Sequence, residues 1–229
     1  MIGYFVTGTD TDVGKTYVTC ALIRRARTRG HKVFAFKPIE SGCLPGPGGE
    51  REGADQELLV HAAGNWQQGQ LRGLYRFAMP AAPLVAAEAA ETSIDLEQVC
   101  AVARSGSQQW QASLTLVEGA GGWRVPITAT ADMSTLALSL GLPVLVVARA
   151  GLGTINHTLL TIEAVQRDGL SLAAVVLSRR PHDAAGFAET NRREIARRWA
   201  GRVLLLGADL DVLDVLLPPV ASVPRGTLR

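Results

Sequence analysis

The 229-residue sequence predicts an α/β fold in which a single doubly wound, mainly parallel β-sheet is flanked by helices. Short apolar runs rich in Val and Leu recur along the chain, as is typical of parallel strands covered on both faces. Longer segments with helical spacing of apolar residues separate these runs, and the alternation continues without a shift in composition. We therefore expect one domain over residues 1–229, with residues 218–229 as a flexible tail.

Continuous apolar runs predict the strands, and apolar residues at helical spacing predict the helices. The predicted strands are residues 2–6, 33–36, 114–117, 143–148, 173–177 and 203–206. The predicted helices are residues 17–29, 55–63, 96–109, 133–140, 155–168 and 184–199. Residues 41–53 contain two prolines and five glycines, so we expect a loop there, with residues 44–52 as an ordinary surface segment.

The composition is that of a globular enzyme, with 47% hydrophobic and 19% charged residues. A formal net charge of +2 argues against a large nucleic-acid surface, which needs clustered Lys and Arg. Cys20, Cys43 and Cys100 form no C-x-x-C pair, which argues against a zinc site and suits a reducing compartment. Because neither a signal peptide nor a membrane-spanning stretch is visible, we expect a cytoplasmic protein without a membrane partner.

The first predicted strand leads into the segment GTDTDVGKT, residues 8–16, and a predicted helix follows it. A strand, a glycine-containing loop and Gly-Lys-Thr at a helix start form the context of a P-loop. Lys15 is then expected to reach the β- and γ-phosphates of a nucleoside triphosphate, and Thr16 to ligate Mg²⁺. The spacing departs from the usual pattern, because Thr9 stands at the position of the first glycine and Gly8 lies one residue early. The alternative is an ordinary helix start with no ligand.

Ligands of open parallel sheets bind beyond the carboxyl ends of the strands, which draws attention to Lys37, Glu118 and the helix start at Asp55. Glu118 could hold Mg²⁺, or it could be a turn-forming acid at a strand end. Asp55 could share that role or serve as an N-cap. Lys37 could stabilise charge on the phosphates, or it could be a solvated surface lysine. His61 and His157 lie in predicted helices without a carboxylate at a telling spacing, and we interpret both as structural.

Four separated motifs together resemble the dethiobiotin synthetase family of P-loop NTPases. They are GTDTDVGKT, KPIESG at residues 37–42, LVEGAGGW at 116–123 and GLGTINH at 151–157, and the similarity covers residues 1–207. The resemblance implies an ATP-dependent carboxylation of 7,8-diaminopelargonic acid with CO₂ or bicarbonate, with Mg²⁺ as cofactor. A carbamate and a carbamic–phosphoric anhydride would lead to the cyclic urea, dethiobiotin. It also implies a homodimer whose active site lies at the subunit interface.

The resemblance assigns a role to each matching residue of this chain. The implied catalytic residues are Lys37, Lys15 and Thr11, and the implied metal ligands are Thr16, Asp55 and Glu118. The implied nucleotide-binding residues are Asp12, Val13, Gly14, Lys15, Thr16, Tyr17, Glu118 and Ser178. The implied substrate-binding residues are Thr11, Ser41, Gly121, Gly153, Thr154, Ile155 and Asn156, of which the last four would receive the substrate carboxylate of the partner subunit.

The chain departs from the family pattern at the adenine end. Ser178, Arg179 and Arg180 stand where an Asn for the base is expected, and residues 207–210 lack the usual proline. Ser cannot present a donor and an acceptor together as Asn does, so tolerance of other nucleotides is expected. Asp12 replaces a frequent Glu with the same charge.

Two other P-loop functions remain open from the sequence. A partition-type regulatory ATPase would carry an extra lysine where Asp10 stands. The ATPase component of a cobyrinate-type amidotransferase would need a glutaminase partner with its own Cys nucleophile.

Overall fold

The computed structural model describes residues 1–179 and 185–219. Its centre is a six-stranded sheet in which every neighbouring pair is parallel. The strands are β1 (Gly3–Gly8), β2 (Val33–Phe36), β7 (Leu114–Gly122), β8 (Val144–Arg149), β9 (Leu172–Ser178) and β10 (Val203–Leu206). Their spatial order is β10-β9-β8-β1-β7-β2, so β1 lies in the interior with β7 and β8 as its neighbours.

Helices cover both faces of this sheet. They are α1 (Lys15–Thr28), α2 (Ala54–Ala63), α3 (Pro83–Ala89), α4 (Leu96–Gln109), α5 (Met133–Leu140), α6 (Thr154–Arg167) and α7 (Ala185–Arg198). Buried side chains of α1 and α2 pack on one face, together with a 3₁₀ segment at Asp211–Leu216. Buried side chains of α3 to α7 pack on the other face. The predicted doubly wound α/β class is therefore confirmed.

Alternate residues of each strand face the two layers, because side chains along a strand point to opposite faces. In β1, Phe5 belongs to the core under α3 to α7 and Val6 to the core under α1 and α2. Both are fully buried. This two-sided burial explains why the strands appear in the sequence as unbroken apolar runs.

Smaller elements extend the framework near the carboxyl end of β2. Strands β3 (Ile39–Ser41) and β6 (Tyr75–Phe77) form a parallel pair, and β4 (Leu44–Pro45) and β5 (Arg51–Glu52) form an antiparallel hairpin around a 3₁₀ turn at Pro47–Gly49. The expectation of a loop over residues 41–53 is therefore only partly right, because this segment contains a short hairpin. Strands of two residues are too short to leave a periodic signal in the sequence.

All six predicted sheet strands are present; residues 33–36 and 203–206 have the predicted bounds, and the other four strands differ at their ends. The largest change is in β7, which continues through the glycines to Gly122 because Gly122 pairs with Gly8 across a register shift. The helices 96–109 and 133–140 have the predicted bounds. The predicted start of the last helix at residue 184 and the predicted tail beyond residue 219 lie outside the described residues. No helix in residues 1–179 or 185–219 is long and apolar enough to span a membrane.

Candidate active site

The backbone of the loop between β1 and α1 accepts a hydrogen bond from the lysine at the start of α1. The Lys15 side chain is 7% exposed, and its Nζ donates to the Asp10 carbonyl at 3.1 Å. The loop residue Asp12 has a φ of 55°, a left-handed conformation that Asp adopts more readily than most residues. The predicted loop is therefore present at the carboxyl end of β1, with its lysine at the start of α1.

Two glycines make this loop geometry feasible. A Cβ at Gly8 would lie 2.6 Å from the Asp10 carbonyl oxygen and 3.0 Å from Lys15 Nζ. Gly14, the N-cap residue of α1, has a φ of 95°, which a residue with a side chain rarely adopts. Gly8 therefore provides a close backbone approach although it lies one residue before the usual glycine position.

Glu118 lies inside β7 and is completely buried. Thr16 Oγ1 donates to its Oε1 at 2.7 Å, and Thr19 Oγ1 donates to its Oε2 at 2.6 Å. The alternative interpretation of Glu118 as a turn-forming acid is wrong, because the glycines after it extend the strand. The carboxylate is instead held by two hydroxyl groups from the first turns of α1.

Lys37 directly follows β2 and is buried, so its interpretation as a solvated lysine is wrong. Its ammonium group forms ion pairs with Asp55 and, at 3.1 Å, with Glu118 Oε1. Burial by itself lowers the pKa of Lys37, but the two carboxylates outweigh this effect and hold that pKa above its usual value. Lys37 is therefore a fixed positive charge and cannot act as a general base near neutral pH.

Asp55 is the second residue of α2 and is half-buried. The N-cap of this helix is Gly53, so the alternative role of Asp55 as a cap is wrong.

Burial lowers the pKa of the neighbouring Lys15, with a smaller contribution in the same direction from the charge of Lys37. Two ammonium groups and two carboxylates are thus gathered where β1 and β2 end, next to the middle of β7.

A cavity of about 980 Å³ opens beside this cluster. Its polar side is lined by Thr11, Asp12, Gly14, Lys15, Thr16, Tyr17, Lys37, Glu40, Ser41 and Asp55. Its other side is lined by Pro80, Ala81, Ala82, Pro83, Ala120, Gly121 and Val125. The cavity therefore combines charged groups that suit phosphates with small apolar residues.

The predicted substrate residues fall into two groups. Thr11, Ser41 and Gly121 line the cavity, and a Cβ at Gly121 would lie 3.6 Å from Thr11 Oγ1. Gly153, Thr154, Ile155 and Asn156 do not line it. They form the start of α6, whose N-cap Gly153 has a φ of 88° and offers no side-chain hydrogen bond. This second group lies beyond the end of β8, at the same edge of the sheet.

Of the residues predicted to lie around the nucleotide, Tyr17 lines the cavity, whereas Ser178 and Val13 do not. Ser178 ends β9 and is buried, and its Oγ lies 2.6 Å from where a Cβ of Gly14 would be. Tyr17 lines the cavity, is half-exposed and donates from its hydroxyl to the Gly207 carbonyl at 3.4 Å. Val13 is buried in the core, and Arg180 lies outside the described residues.

The sequence interpretation missed several residues that build this site. Thr19 could have been found, because it lies one helical turn after Thr16 and shares its face. Residues 80–83 are marked only by a Pro-Ala-Ala-Pro run. Glu40 and Gln56 also build the site, because their hydrogen bonds join α2 to β3 and to the end of β2. Glu40 lies in the KPIESG motif, and no pattern in the sequence marks Gln56. His61 and His157 are exposed and do not line the cavity.

The oxygen donors near Lys37 suit a hard divalent cation. Glu118, Asp55 and the Thr16 hydroxyl offer two carboxylates and a neutral oxygen, the ligand types that Mg²⁺ prefers with phosphate oxygens. Lys37 already places a positive charge between the two carboxylates. Among residues 1–179 and 185–219, no group of three or more His, Cys, Asp or Glu could hold a metal by itself. The residues therefore fit a cation shared with a nucleotide.

Comparison with known sequences gives close relatives. A family model described as an AAA domain matches residues 3–219. The chain is 47% identical over 197 residues to the ATP-dependent dethiobiotin synthetase BioD of Anaeromyxobacter dehalogenans (strain 2CP-C). The matched region covers 86% of this chain and 85% of the relative. It is 43% identical over 176 residues to the protein of the same name from Pseudomonas aeruginosa (strain UCBPP-PA14), covering 77% and 76% of the two chains.

Solved structures that resemble this one support the fold alone. The MinC:MinD cell division protein complex of Aquifex aeolicus contains a chain that matches with a TM-score of 0.58 and 13% identity, covering 95% of this chain and 87% of that chain. The signal recognition particle receptor FtsY of Elizabethkingia anophelis matches with a TM-score of 0.55 and 14% identity, over 93% and 61% of the two chains.

Proposed function

The chain belongs to the dethiobiotin synthetase family, and we propose that it uses ATP to carboxylate 7,8-diaminopelargonic acid and close the cyclic urea of dethiobiotin. The proposal rests on Lys37. A buried lysine held charged between Asp55 and Glu118, beside a P-loop lysine and a cavity, suits the transfer of a phosphoryl group to an anionic acceptor.

Lys15 and the backbone of residues 8–16 bind the triphosphate in this proposal. Free N–H groups at the start of α1 and its partial positive charge favour an anion there. Lys15 is expected to leave the Asp10 carbonyl and reach the phosphates, because an ammonium–phosphate contact is stronger than one to a neutral carbonyl.

Lys37 stabilises the charge that develops as the carbamate meets the γ-phosphate. One amine of the substrate first captures CO₂ as a carbamate, and a carbamate oxygen then attacks the γ-phosphorus while ADP leaves. The second amine attacks the carbonyl carbon of the resulting anhydride, loses its proton and expels phosphate. Since each step moves negative charge, fixed cations and correct orientation provide the catalysis, without a protein nucleophile.

Thr16, Asp55 and Glu118 would hold Mg²⁺ together with the nucleotide. When bound, the ion would screen the β- and γ-phosphate oxygens and so lower the barrier to phosphoryl transfer. Thr19 would keep Glu118 oriented, because its hydroxyl bonds the second carboxylate oxygen.

Thr11, Ser41 and Gly121 would contact the diamine end of the substrate, and residues 80–83 would contact its hydrocarbon chain. The start of α6 would bind a substrate carboxylate held by a second copy of the chain. Its uncapped N–H groups and the exposed Gly153 and Asn156 support this role. The homodimer, the cytoplasmic location and the single domain belong to the same proposal.

The alternative P-loop functions gain no specific support. The likeness to the MinC:MinD complex, at 13% identity, concerns the fold, whereas relatives at 43–47% identity are named dethiobiotin synthetases. No observation in the described residues favours a glutaminase partner.

Phosphate release by the purified protein with MgATP and bicarbonate, measured with and without 7,8-diaminopelargonic acid, tests the proposal. We expect release that depends on the diamine, with dethiobiotin formed in equal amount. Hydrolysis that ignores the diamine, or no turnover with ATP, CTP and GTP, would contradict it and favour the partition-type or amidotransferase-type functions.

A further inference from the structure

Helix α2, which carries Asp55, begins without a cap from its own segment. Its N-cap residue is Gly53, which has no side chain to accept from the first N–H groups of the helix. The Glu40 carboxylate, which comes from β3, takes this role instead. Its Oε1 accepts from the Asp55 N–H and its Oε2 from the Gln56 N–H, each at 2.9 Å.

Glu40 is almost fully buried, and its surroundings are built for it. A Cβ at Gly53 would lie 2.6 Å from Glu40 Oε2, so the close approach of carboxylate and helix requires glycine at this position. A carboxylate at a helix N-terminus is also favoured by the helix dipole. The contact therefore fixes the start of α2 against β3 in distance and direction.

Gln56 connects the same helix turn to the residue that pairs with Asp55. Its side chain is fully buried, and Nε2 donates to the Lys37 carbonyl at 3.0 Å and to the Tyr75 carbonyl at 3.3 Å. Hydrogen bonds of Gln56 thus join the start of α2 to the Lys37 backbone and to β6, and those of Glu40 join it to β3.

We infer that Glu40 is a positioning residue, which sets the place of Asp55 relative to Lys37 and so determines how tightly the site holds the divalent cation of the nucleotide. This inference rests on the proposed function of the site. It adds a residue that lines the cavity but whose two carboxylate oxygens both accept from N–H groups at the start of α2. Partners behind a ligand typically change metal affinity about 10- to 100-fold when they are removed.

The test is the dissociation constant of Mn²⁺, used as a paramagnetic probe for Mg²⁺, in the presence of a non-hydrolysable ATP analogue. Electron paramagnetic resonance of free Mn²⁺ gives this constant without catalytic turnover. We expect Glu40→Ala to raise it about tenfold or more. Glu40→Asp keeps the charge but is one methylene shorter, so we expect it to raise the constant as well. Steady-state assays should show a higher KM for Mg²⁺ with an unchanged KM for the diamine.

A matched control separates positioning from the general loss of a helix cap. Asp95 caps α4 by accepting from the Gln98 N–H at 3.0 Å, and it does not line the cavity. Asp95→Ala should lower thermal stability but leave the Mn²⁺ constant within twofold of wild type. Circular dichroism establishes that each variant is folded before Mn²⁺ is added.

Three outcomes would overturn the inference. The first is an Mn²⁺ dissociation constant within twofold of wild type in both Glu40 variants. The second is a wild-type constant in Glu40→Asp alone, which would indicate that the charge matters and the position does not. The third is failure of both variants to fold. Failure of the proposed function would give a different result. The wild type would then form no dethiobiotin, but Glu40→Ala and Glu40→Asp would still weaken Mn²⁺ binding, and the positioning role would stand.

Discussion

The proposed phosphate end and the proposed base end of the site are built in different ways. At the phosphate end, Lys15, Lys37 and Glu118 are buried, and their partners come from the loop before α1, from α1 and α2, and from β7. At the base end, Tyr17 is half-exposed and Ser178 packs against Gly14 outside the cavity. Burial raises the energy of a misplaced charge, so the phosphate end tolerates few alternatives, whereas the base end can vary.

Lys15→Ala gives the largest expected loss, because it removes the ammonium group of the P-loop. We expect dethiobiotin formation to fall below detection under saturating substrates. Lys32→Ala is the control, since Lys32 is exposed, its ammonium group lies over the Trp110 ring, and it does not line the cavity. Near-normal turnover in Lys15→Ala would show that this lysine takes no part in the mechanism, and it would contradict the importance given to the phosphate end.

Lys37→Ala tests the second cation at the same end. We expect the single-turnover rate of dethiobiotin formation to fall roughly 100-fold or more, as is typical when one fixed charge-stabilising group is lost. Nucleotide binding should persist, because Lys15 and the loop remain. Rapid-quench measurement with excess enzyme isolates the chemical step, and an unchanged rate would contradict the assigned role.

Ser178→Asn probes the base end. Asn can present a donor and an acceptor to an adenine edge, so the ratios of kcat/KM for ATP over CTP and GTP should rise several-fold, which corresponds to about 1 kcal/mol. The substitution should leave the rate of the chemical step unchanged. Flat ratios would show that the base is recognised elsewhere and that the two ends differ less than proposed.

Asp214→Asn should give the smallest effect on activity, since Asp214 lies outside the site and pairs with Arg25 and Arg29 of α1. Hydrogen bonding from Arg25, with help from Arg29, lowers the pKa of Asp214 from 3.8 to about 2. A carboxyl whose pKa is lower in the folded state stabilises the protein above about pH 4, and this contribution is lost as the pH falls towards 2.

We therefore expect Asp214→Asn to lower Tm by a few degrees at pH 7, with a difference from wild type that shrinks between pH 4 and pH 2. Asp211→Asn is the graded comparison, because the Asp211 side chain is 70% exposed and forms an ion pair with Arg25. A Tm difference that stays constant down to pH 2 would show that the ion pair does not stabilise the fold.

The sequence was sufficient to predict the sheet and the position of the loop at residues 8–16, and the physical reason is the same. Buried parallel strands need unbroken apolar runs, and phosphate binding needs a lysine and a hydroxyl at a helix start, so both leave local patterns. The prediction placed Glu118 correctly next to the other charged residues. It missed that Glu118 lies inside a strand, because only the pairing of Gly122 with Gly8 extends β7 past the glycines.

Contacts between distant segments could not be predicted in this way. The Lys37–Asp55 pair spans 18 residues of sequence, and the Glu40 contact to the start of α2 spans 15 and 16. Neither has a periodic signature. The start of α6 remains a prediction for another reason, since the role given to Gly153–Asn156 depends on a second copy of the chain.

Oxygen transfer tests the central claim most directly, namely that a carbamate oxygen attacks the γ-phosphate at Lys37. The purified protein is mixed with MgATP, the diamine and freshly dissolved ¹⁸O-labelled CO₂, and the phosphate is analysed by mass spectrometry before the label exchanges with water. We expect the phosphate to carry one oxygen from the labelled CO₂, in proportion to the dethiobiotin formed. Phosphate whose new oxygen comes from water would contradict the account and indicate simple hydrolysis.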